Sequence, residues 1–207
     1  MTQKIAIRTF SLLLITLTVY YLCWQLLSQA LTLPVYYYAR LIEFLGILLF
    51  VALALCIPMR FEEMGILVPR GLLFRSLLLG GTVSLAVIGA LALLLTWQTG
   101  KPLSALYVKG DVSRLTYFLV APLQELLAKG VMYYAFELTL EKRHPHASNA
   151  LSALTFALFH VMYGPTMMLL SAALCLGTGW LFQKHRCVWG CALAHLSIGL
   201  FYDCFAF

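Results

Sequence analysis

Charged residues are scarce in this sequence: Asp, Glu, Lys and Arg make up 11% of its 207 residues, whereas soluble domains contain roughly 25%. So few charged side chains cannot cover a water-facing surface, which excludes a soluble globular protein. Apolar residue types account for 62% of the chain, and the mean hydropathy is +0.91. Because a membrane-spanning helix needs about 20 apolar residues, we predict an all-α, polytopic integral membrane protein with about seven transmembrane helices in the lipid bilayer.

Repeats and low-complexity tracts are also missing, so residues 1–207 are predicted to form a single membrane domain. Residues 1–114 would hold three spans and an interfacial segment at about residues 60–71. Residues 115–207 would form a four-helix core with the functional site. The predicted spans are residues 8–31, 39–57, 72–97, 115–140, 148–163, 166–183 and 187–205. The break after the fifth span is assigned to Gly164-Pro165.

A cysteine framework for metal binding is missing as well. The six cysteines lie in or beside apolar runs and are interpreted as small buried hydrophobic residues. Cys187 and Cys191 share one helix face, but no second pair of thiols or imidazoles follows at zinc-finger spacing. The net charge of +6 is attributed to membrane topology, so no nucleic-acid partner is predicted.

The basic residues orient the predicted spans. Nine of them fall on one side and four on the other, which places the N-terminus in the cytoplasm and the C-terminus outside. We expect the membrane to be the bacterial inner membrane. The nine are Lys4, Arg8, Arg60, Arg70, Arg75, Lys142, Arg143, Lys184 and Arg186, and the four are Arg40, Lys101, Lys109 and Arg114.

Ionisable residues inside three of the predicted spans mark a candidate site. Glu125 lies in the fourth span, His160 in the fifth and His195 in the seventh. Each would cost several kcal/mol in lipid unless it is paired or faces a wet cavity. Such residues can also serve only as hydrogen bonds between helices, but an acid and two imidazoles favour a shared site. We predict that the three side chains line one intramembrane cavity.

The motifs around these residues resemble the CPBP family of intramembrane proteases, which groups CAAX-prenyl proteases with bacteriocin-processing and immunity-type enzymes. The motifs are Ala-Pro-x-x-Glu with Lys-Gly close behind, then Phe-x-x-x-His, then a late His, and the resemblance covers about residues 115–205. The family pattern is E-E-x-x-x-R, F-x-x-x-H and H-x-x-x-N. The resemblance implies an intramembrane endopeptidase that hydrolyses a peptide bond in a membrane-associated or membrane-inserted protein or peptide.

Roles follow from the resemblance residue by residue. In the family, the glutamates and the first histidine are understood to activate a water molecule, while the second histidine and the asparagine stabilise the oxyanion. The predicted catalytic residues are Gln124, Glu125, Lys129, His160 and His195, and the predicted substrate-binding residues are Phe156, Gly199 and Tyr202.

Three of these positions depart from the family pattern. Gln124 replaces the first Glu, Lys129 replaces the Arg and Gly199 replaces the Asn. An amide can orient a water molecule but cannot accept its proton, so Glu125 or His160 must act as the base. Lys129 lies four residues after Glu125 and is predicted to pair with it and keep it ionised. A buried ion pair of this kind could equally be structural.

Two alternatives stay open. Zinc could be bound by Glu125, His160 and His195, although we rank catalysis without a cofactor higher, because the ligands lie on three helices without an H-E-x-x-H pair. The chain could also be a catalytically impaired relative that binds a membrane partner as a regulator or immunity factor. Gln124 and Gly199 favour this second alternative.

Overall fold

The computed structural model describes residues 2–30, 44–49, 51–52, 55, 60–102 and 113–205, and within these ranges it contains helices and turns but no strand. The all-α prediction is confirmed. The α-helices are α1 (Thr2–Ala30), α2 (Arg70–Thr99), α3 (Ser113–Glu125), α4 (Tyr134–Thr139), α5 (Pro145–Leu158), α6 (Pro165–His185) and α7 (Val188–Phe205). A π-helix, Leu126–Tyr133, joins α3 to α4, and a 3-10 turn, Val161–Tyr163, follows α5.

Three of the described helices, α1, α2 and α6, are long and apolar enough to cross a membrane. Their outer surfaces carry large apolar side chains, such as Leu14 at 66% exposure, Leu85 at 73% and Leu169 at 72%. Lipid is the solvent that suits such a surface, and the prediction of an integral membrane protein is confirmed. The count of seven spans stays a prediction. About half of the predicted second span falls outside the described residues, and its described residues, 44–49, 51–52 and 55, are helical.

The predicted fourth span, residues 115–140, is helical but is not one regular α-helix. Pro122 lies inside α3 and has no backbone N–H to donate. From Leu126 to Tyr133 the backbone adopts the wider π-helix, and it returns to α-helical geometry in α4. Single-turn π segments occur frequently at functional sites. The predicted fourth span is therefore an α-helix that is interrupted by a π-helical segment.

The π-helix lies in the centre of the molecule, because residues 127–133 are all buried. Its apolar side chains share one core with Met64, from the turn before α2, and with Tyr20 of α1. The Tyr20 hydroxyl donates to the backbone oxygen of Phe159 at 3.1 Å, so α1 is attached to the end of α5. The turn before α2 falls in the predicted interfacial segment.

The predicted fifth span ends early. Its α-helix, α5, stops at Leu158, and His160 leads into the 3-10 turn. Gly164 then adopts a positive φ of 89°, which favours glycine, and Pro165 occupies the first turn of α6. The predicted break at Gly164-Pro165 is confirmed. It places His160 in irregular backbone rather than inside a helix.

Candidate active site

Glu125, the last residue of α3, is completely buried, and its two carboxylate oxygens have different surroundings. Oε1 accepts hydrogen bonds from Nδ1 of His195 at 2.9 Å and from the hydroxyl of Thr178 at 3.1 Å. Oε2 is buried and has no hydrogen-bond partner within the described ranges. A buried carboxylate oxygen without a partner is costly. Oε2 is therefore the atom that can accept a hydrogen bond from a donor such as water.

His195 lies on α7 opposite Glu125, and its Nδ1 carries the hydrogen of the bond between them, since an ionised carboxylate can only accept. Its Nε2 makes no hydrogen bond with the part of the chain that the structure describes. A carboxylate that holds Nδ1–H fixes the tautomer and the orientation of an imidazole. Nε2 is therefore the nitrogen of His195 that is left for contact with another group.

His160 is buried, and its Nδ1 lies 2.9 Å from the backbone oxygen of Phe156. Because a carbonyl oxygen only accepts, Nδ1 carries the hydrogen, and Nε2 of the neutral ring is an acceptor. The Phe156 ring contacts both imidazoles, with centroids 4.7 Å from His160 and 6.0 Å from His195. The Phe156 ring therefore lies against both imidazoles, and His195 in turn contacts Glu125, although the three ionisable residues come from three separate helical segments.

Lys129 does not form the expected ion pair with Glu125. Its buried ammonium donates to the backbone oxygen of Cys175 on α6 and lies 3.0 Å from the sulfur of the same residue. The expectation assumed α-helical spacing between residues 125 and 129, whereas the chain enters the π-helix at Leu126. Lys129 therefore links the π-helix to α6.

The remaining predicted residues lie at the edge of this group. Gln124 is half-buried, and its amide makes no hydrogen bond with any described residue. Gly199 follows His195 by one turn of α7, and a side chain there would overlap the hydroxyl of Tyr117. Tyr202 is half-buried three residues further on. The substrate contacts assigned to Phe156, Gly199 and Tyr202 stay predictions.

Sequence reasoning missed two residues of the site, Thr178 and Tyr117. Thr178 donates to Glu125, its hydroxyl also lies 3.3 Å from the Cys175 backbone oxygen, and its own carbonyl accepts from the Cys191 thiol at 3.1 Å. Tyr117 packs edge-on against His195 with ring centroids 6.0 Å apart. Hydroxyl-bearing residues are common hydrogen-bonding groups between membrane helices, so neither residue type marks a site by itself.

A metal site is not formed by this arrangement. No three His, Cys, Asp or Glu side chains among the described residues are placed to hold a metal ion. Glu125 and His195 are in contact with each other through Oε1 and Nδ1. Catalytic zinc usually needs three protein ligands, and the side chains present do not fit that requirement. The zinc alternative stays untested.

Comparison with known proteins identifies the part of the chain that carries this site. Residues 112–201 match the family model described as type II CAAX prenyl endopeptidase Rce1-like. No curated protein and no solved structure matches the chain. The matched segment contains Glu125, Thr178, His160 and His195, together with the helices that position them. Residues 112–201 are therefore similar to the Rce1-like type II CAAX prenyl endopeptidases, and the predicted resemblance to the CPBP family is confirmed over this segment.

Proposed function

We propose that the chain is an intramembrane endopeptidase that hydrolyses a peptide bond in a membrane-associated or membrane-inserted protein or peptide, with water activated by Glu125 and His160. The observation that carries this proposal is the asymmetry of the Glu125 carboxylate. Oε1 is held by His195 and Thr178, whereas Oε2 has no partner among the described residues. A carboxylate that is held through one oxygen, and whose other oxygen has no partner among the described residues, is suited to take a proton from water.

The two imidazoles have separate roles in this proposal. His160 offers Nε2 as an acceptor that orients the water molecule, because its Nδ1–H is bound to a backbone carbonyl. The water oxygen attacks the peptide carbonyl carbon, its proton passes to Glu125, and negative charge develops on the carbonyl oxygen. Donation from Nε2 of His195 to that oxygen requires the imidazolium form, in which both ring nitrogens carry hydrogen and Nδ1–H stays on Glu125. When the carbonyl re-forms, the C–N bond breaks and the proton on Glu125 passes to the nitrogen of the leaving amine. No cofactor takes part in this scheme.

Gln124 stands beside the base and cannot replace it. An amide accepts and donates hydrogen bonds but does not take up a proton from water. Its half-buried position and the absence of a hydrogen bond within the described residues leave the amide able to orient water or substrate. A single carboxylate with an oriented imidazole provides the acid–base chemistry that peptide hydrolysis requires.

The test is peptide release in proteoliposomes containing the purified chain. The probes are prenylated CAAX peptides, the substrate class in the name of the matched family, and unmodified membrane-anchored peptides. We expect Glu125→Gln and His160→Ala each to lower the rate at least about 10²-fold, because each removes a group that handles the proton. Glu62→Gln and His146→Ala remove the same chemical groups at exposed positions and should leave the rate unchanged.

The alternative is a catalytically impaired membrane protein that binds a partner as a regulator or immunity factor, and Gln124 in place of a glutamate favours it. In that case neither the native chain nor Gln124→Glu releases peptide, and Glu125→Gln leaves partner binding unchanged. That outcome rejects the protease. A zinc chelator added to the same assay tests the metal alternative, and we expect no change in rate.

We also propose that the chain lies in the bacterial inner membrane with a cytoplasmic N-terminus and an outer C-terminus, on the basis of its nine basic residues on one side. Arg143→Cys and Lys101→Cys, in a cysteine-free background, test the orientation. A membrane-impermeant maleimide should label position 101 in intact spheroplasts and position 143 only after lysis. The reverse pattern would contradict the orientation.

A further inference from the structure

Tyr117 of α3 places its phenol directly over the backbone of Gly199 on α7. A Cβ atom added at Gly199 would overlap the hydroxyl oxygen of Tyr117, and it would lie 2.7 Å from Cζ and 2.8 Å from Cε1 of the same ring. Real Cβ atoms do not approach other atoms so closely. The absence of a side chain at position 199 is therefore what admits the phenol.

The phenol lies on the side of α7 that faces the candidate active site. Gly199 follows His195 by four residues, so both positions share one face of the helix, about one turn apart. The Tyr117 ring meets the His195 imidazole edge-on, with centroids 6.0 Å apart. Along α3, Glu125 is opposite His195 and Tyr117 is opposite Gly199, which is the pairing expected for antiparallel helices.

The hydroxyl also has the right chemistry for this position. Tyr117 is half-buried rather than enclosed. A phenolic O–H is a neutral hydrogen-bond donor at physiological pH. It can therefore donate to a developing oxyanion without placing another charge inside the membrane, where charge is expensive.

We infer that Tyr117 is a catalytic residue whose hydroxyl donates a hydrogen bond to the carbonyl oxygen of the scissile peptide, beside Nε2 of His195. This inference rests on the proposed function. The water oxygen forms its bond to the carbonyl carbon, the water proton goes to Glu125, and the π electrons of the carbonyl move to its oxygen. Tyr117 keeps its own proton throughout and stabilises the charge by hydrogen bonding alone.

The first test is Tyr117→Phe in the proteoliposome assay. This change removes the hydroxyl but keeps the ring against His195, and the melting temperature is measured on the same preparation. The loss of an oxyanion donor should lower kcat about 10²-fold with KM within about twofold of the native value. Tyr134→Phe, which removes a phenol hydroxyl that bonds to Glu63 outside the site, is the matched control and should retain native kcat.

The second test keeps the inference falsifiable if Tyr117→Phe does not fold. Tyr117→Ala empties the space over residue 199, and Gly199→Asn in that background supplies an amide donor from the other helix. We expect Gly199→Asn to raise kcat at least tenfold above that of Tyr117→Ala alone. Gly199→Leu, whose side chain has a similar shape but no donor, should not raise kcat. Equal effects of Asn and Leu would show that the phenol only fills space, which overturns the inference.

The outcomes separate this inference from the proposed function. If the native chain hydrolyses no probe, the proposed function fails. If the native chain is active and Tyr117→Phe retains native kcat, the inference about Tyr117 fails while the protease stands.

Discussion

Thr178 is the residue through which α6 contacts the Glu125 carboxylate. Its buried hydroxyl donates to Oε1 of Glu125, and a hydrogen bond to a charged group contributes about 1.5–3 kcal/mol. Thr178→Val keeps the shape and removes the donor, so we expect kcat to fall roughly ten- to a hundredfold. Thr155→Val is the control, because that hydroxyl bonds only to the Leu151 backbone oxygen within its own helix. Equal rates in both variants would contradict this role.

The contacts of the Lys129 ammonium determine how much stability the Glu125→Gln variant loses. If Lys129 depended on Glu125 as its sole partner, removing the carboxylate charge would strand a buried ammonium at a cost of about 3–5 kcal/mol. The ammonium is instead bonded to the Cys175 backbone oxygen and lies close to its sulfur. We therefore expect Glu125→Gln to lower the free energy of unfolding by less than about 3 kcal/mol, as measured by reversible unfolding in mixed micelles. A larger loss would show that the two charges depend on each other.

At the scale of the helices, the crossing of α2 and α7 depends on small residues. Ser76, Gly80 and Ser84 recur every four residues on the buried face of α2, and a side chain at Gly80 would overlap the backbone oxygen of Gly190. A side chain at Gly190 would in turn overlap Ser76. Such small-residue stripes let the backbones of membrane helices approach closely. This crossing holds α7, and with it His195, against the rest of the molecule.

Gly190→Val tests this crossing. The added side chain meets backbone atoms that cannot move aside locally, so we expect a loss of about 1–3 kcal/mol in the free energy of unfolding. Gly89→Val is the matched control on α2, because nothing lies within 4 Å of a Cβ at that position. It should leave stability unchanged or raise it slightly, since glycine disfavours a helix interior. Similar losses in the two variants would contradict close packing at Gly190.

At the scale of the whole molecule, a polar cluster joins the turn before α2 to the C-terminal helices. It consists of Glu63, Tyr134, Glu137, Lys142 and Arg186. Arg186 forms a two-pronged ion pair with Glu137, at 2.9 and 2.7 Å, and donates to the Glu63 backbone oxygen at 3.3 Å. The Tyr134 hydroxyl donates to the Glu63 carboxylate, and Lys142 lies 3.5 Å from it.

This cluster predicts a pH dependence of stability. The hydrogen bond from Tyr134 and the nearby charge of Lys142 lower the pKa of Glu63 below its ordinary value of 4.5. A lowered folded-state pKa stabilises the fold at pH values above 4.5, and this contribution is lost as the pH falls through the folded-state pKa. We expect the melting temperature in detergent to fall on acidification below about pH 4.5, and less steeply in Glu63→Gln. Glu62→Gln, an exposed neighbour, should follow the native curve.

Much of the candidate site could be predicted from the sequence, because ionisable residues are rare inside apolar spans. Glu125, His160 and His195 stand out for that reason, and the break at Gly164-Pro165 follows from local backbone preferences. The π-helix could not be predicted, because the residues 126–133 are compatible with an α-helix. The partner of Lys129 could not be predicted either, since it depends on how α6 approaches that segment.

Composition and motifs by themselves determined the helical class, the membrane environment and the family that residues 112–201 resemble. The tertiary structure alone decided which oxygen of Glu125 is held, which helix receives Lys129, and that Tyr117 covers Gly199. The physical reason is that membrane helices are apolar on the faces that meet lipid and also on the faces that meet each other. Hydrophobic periodicity therefore does not encode their rotation and register, and those two quantities decide every contact between helices.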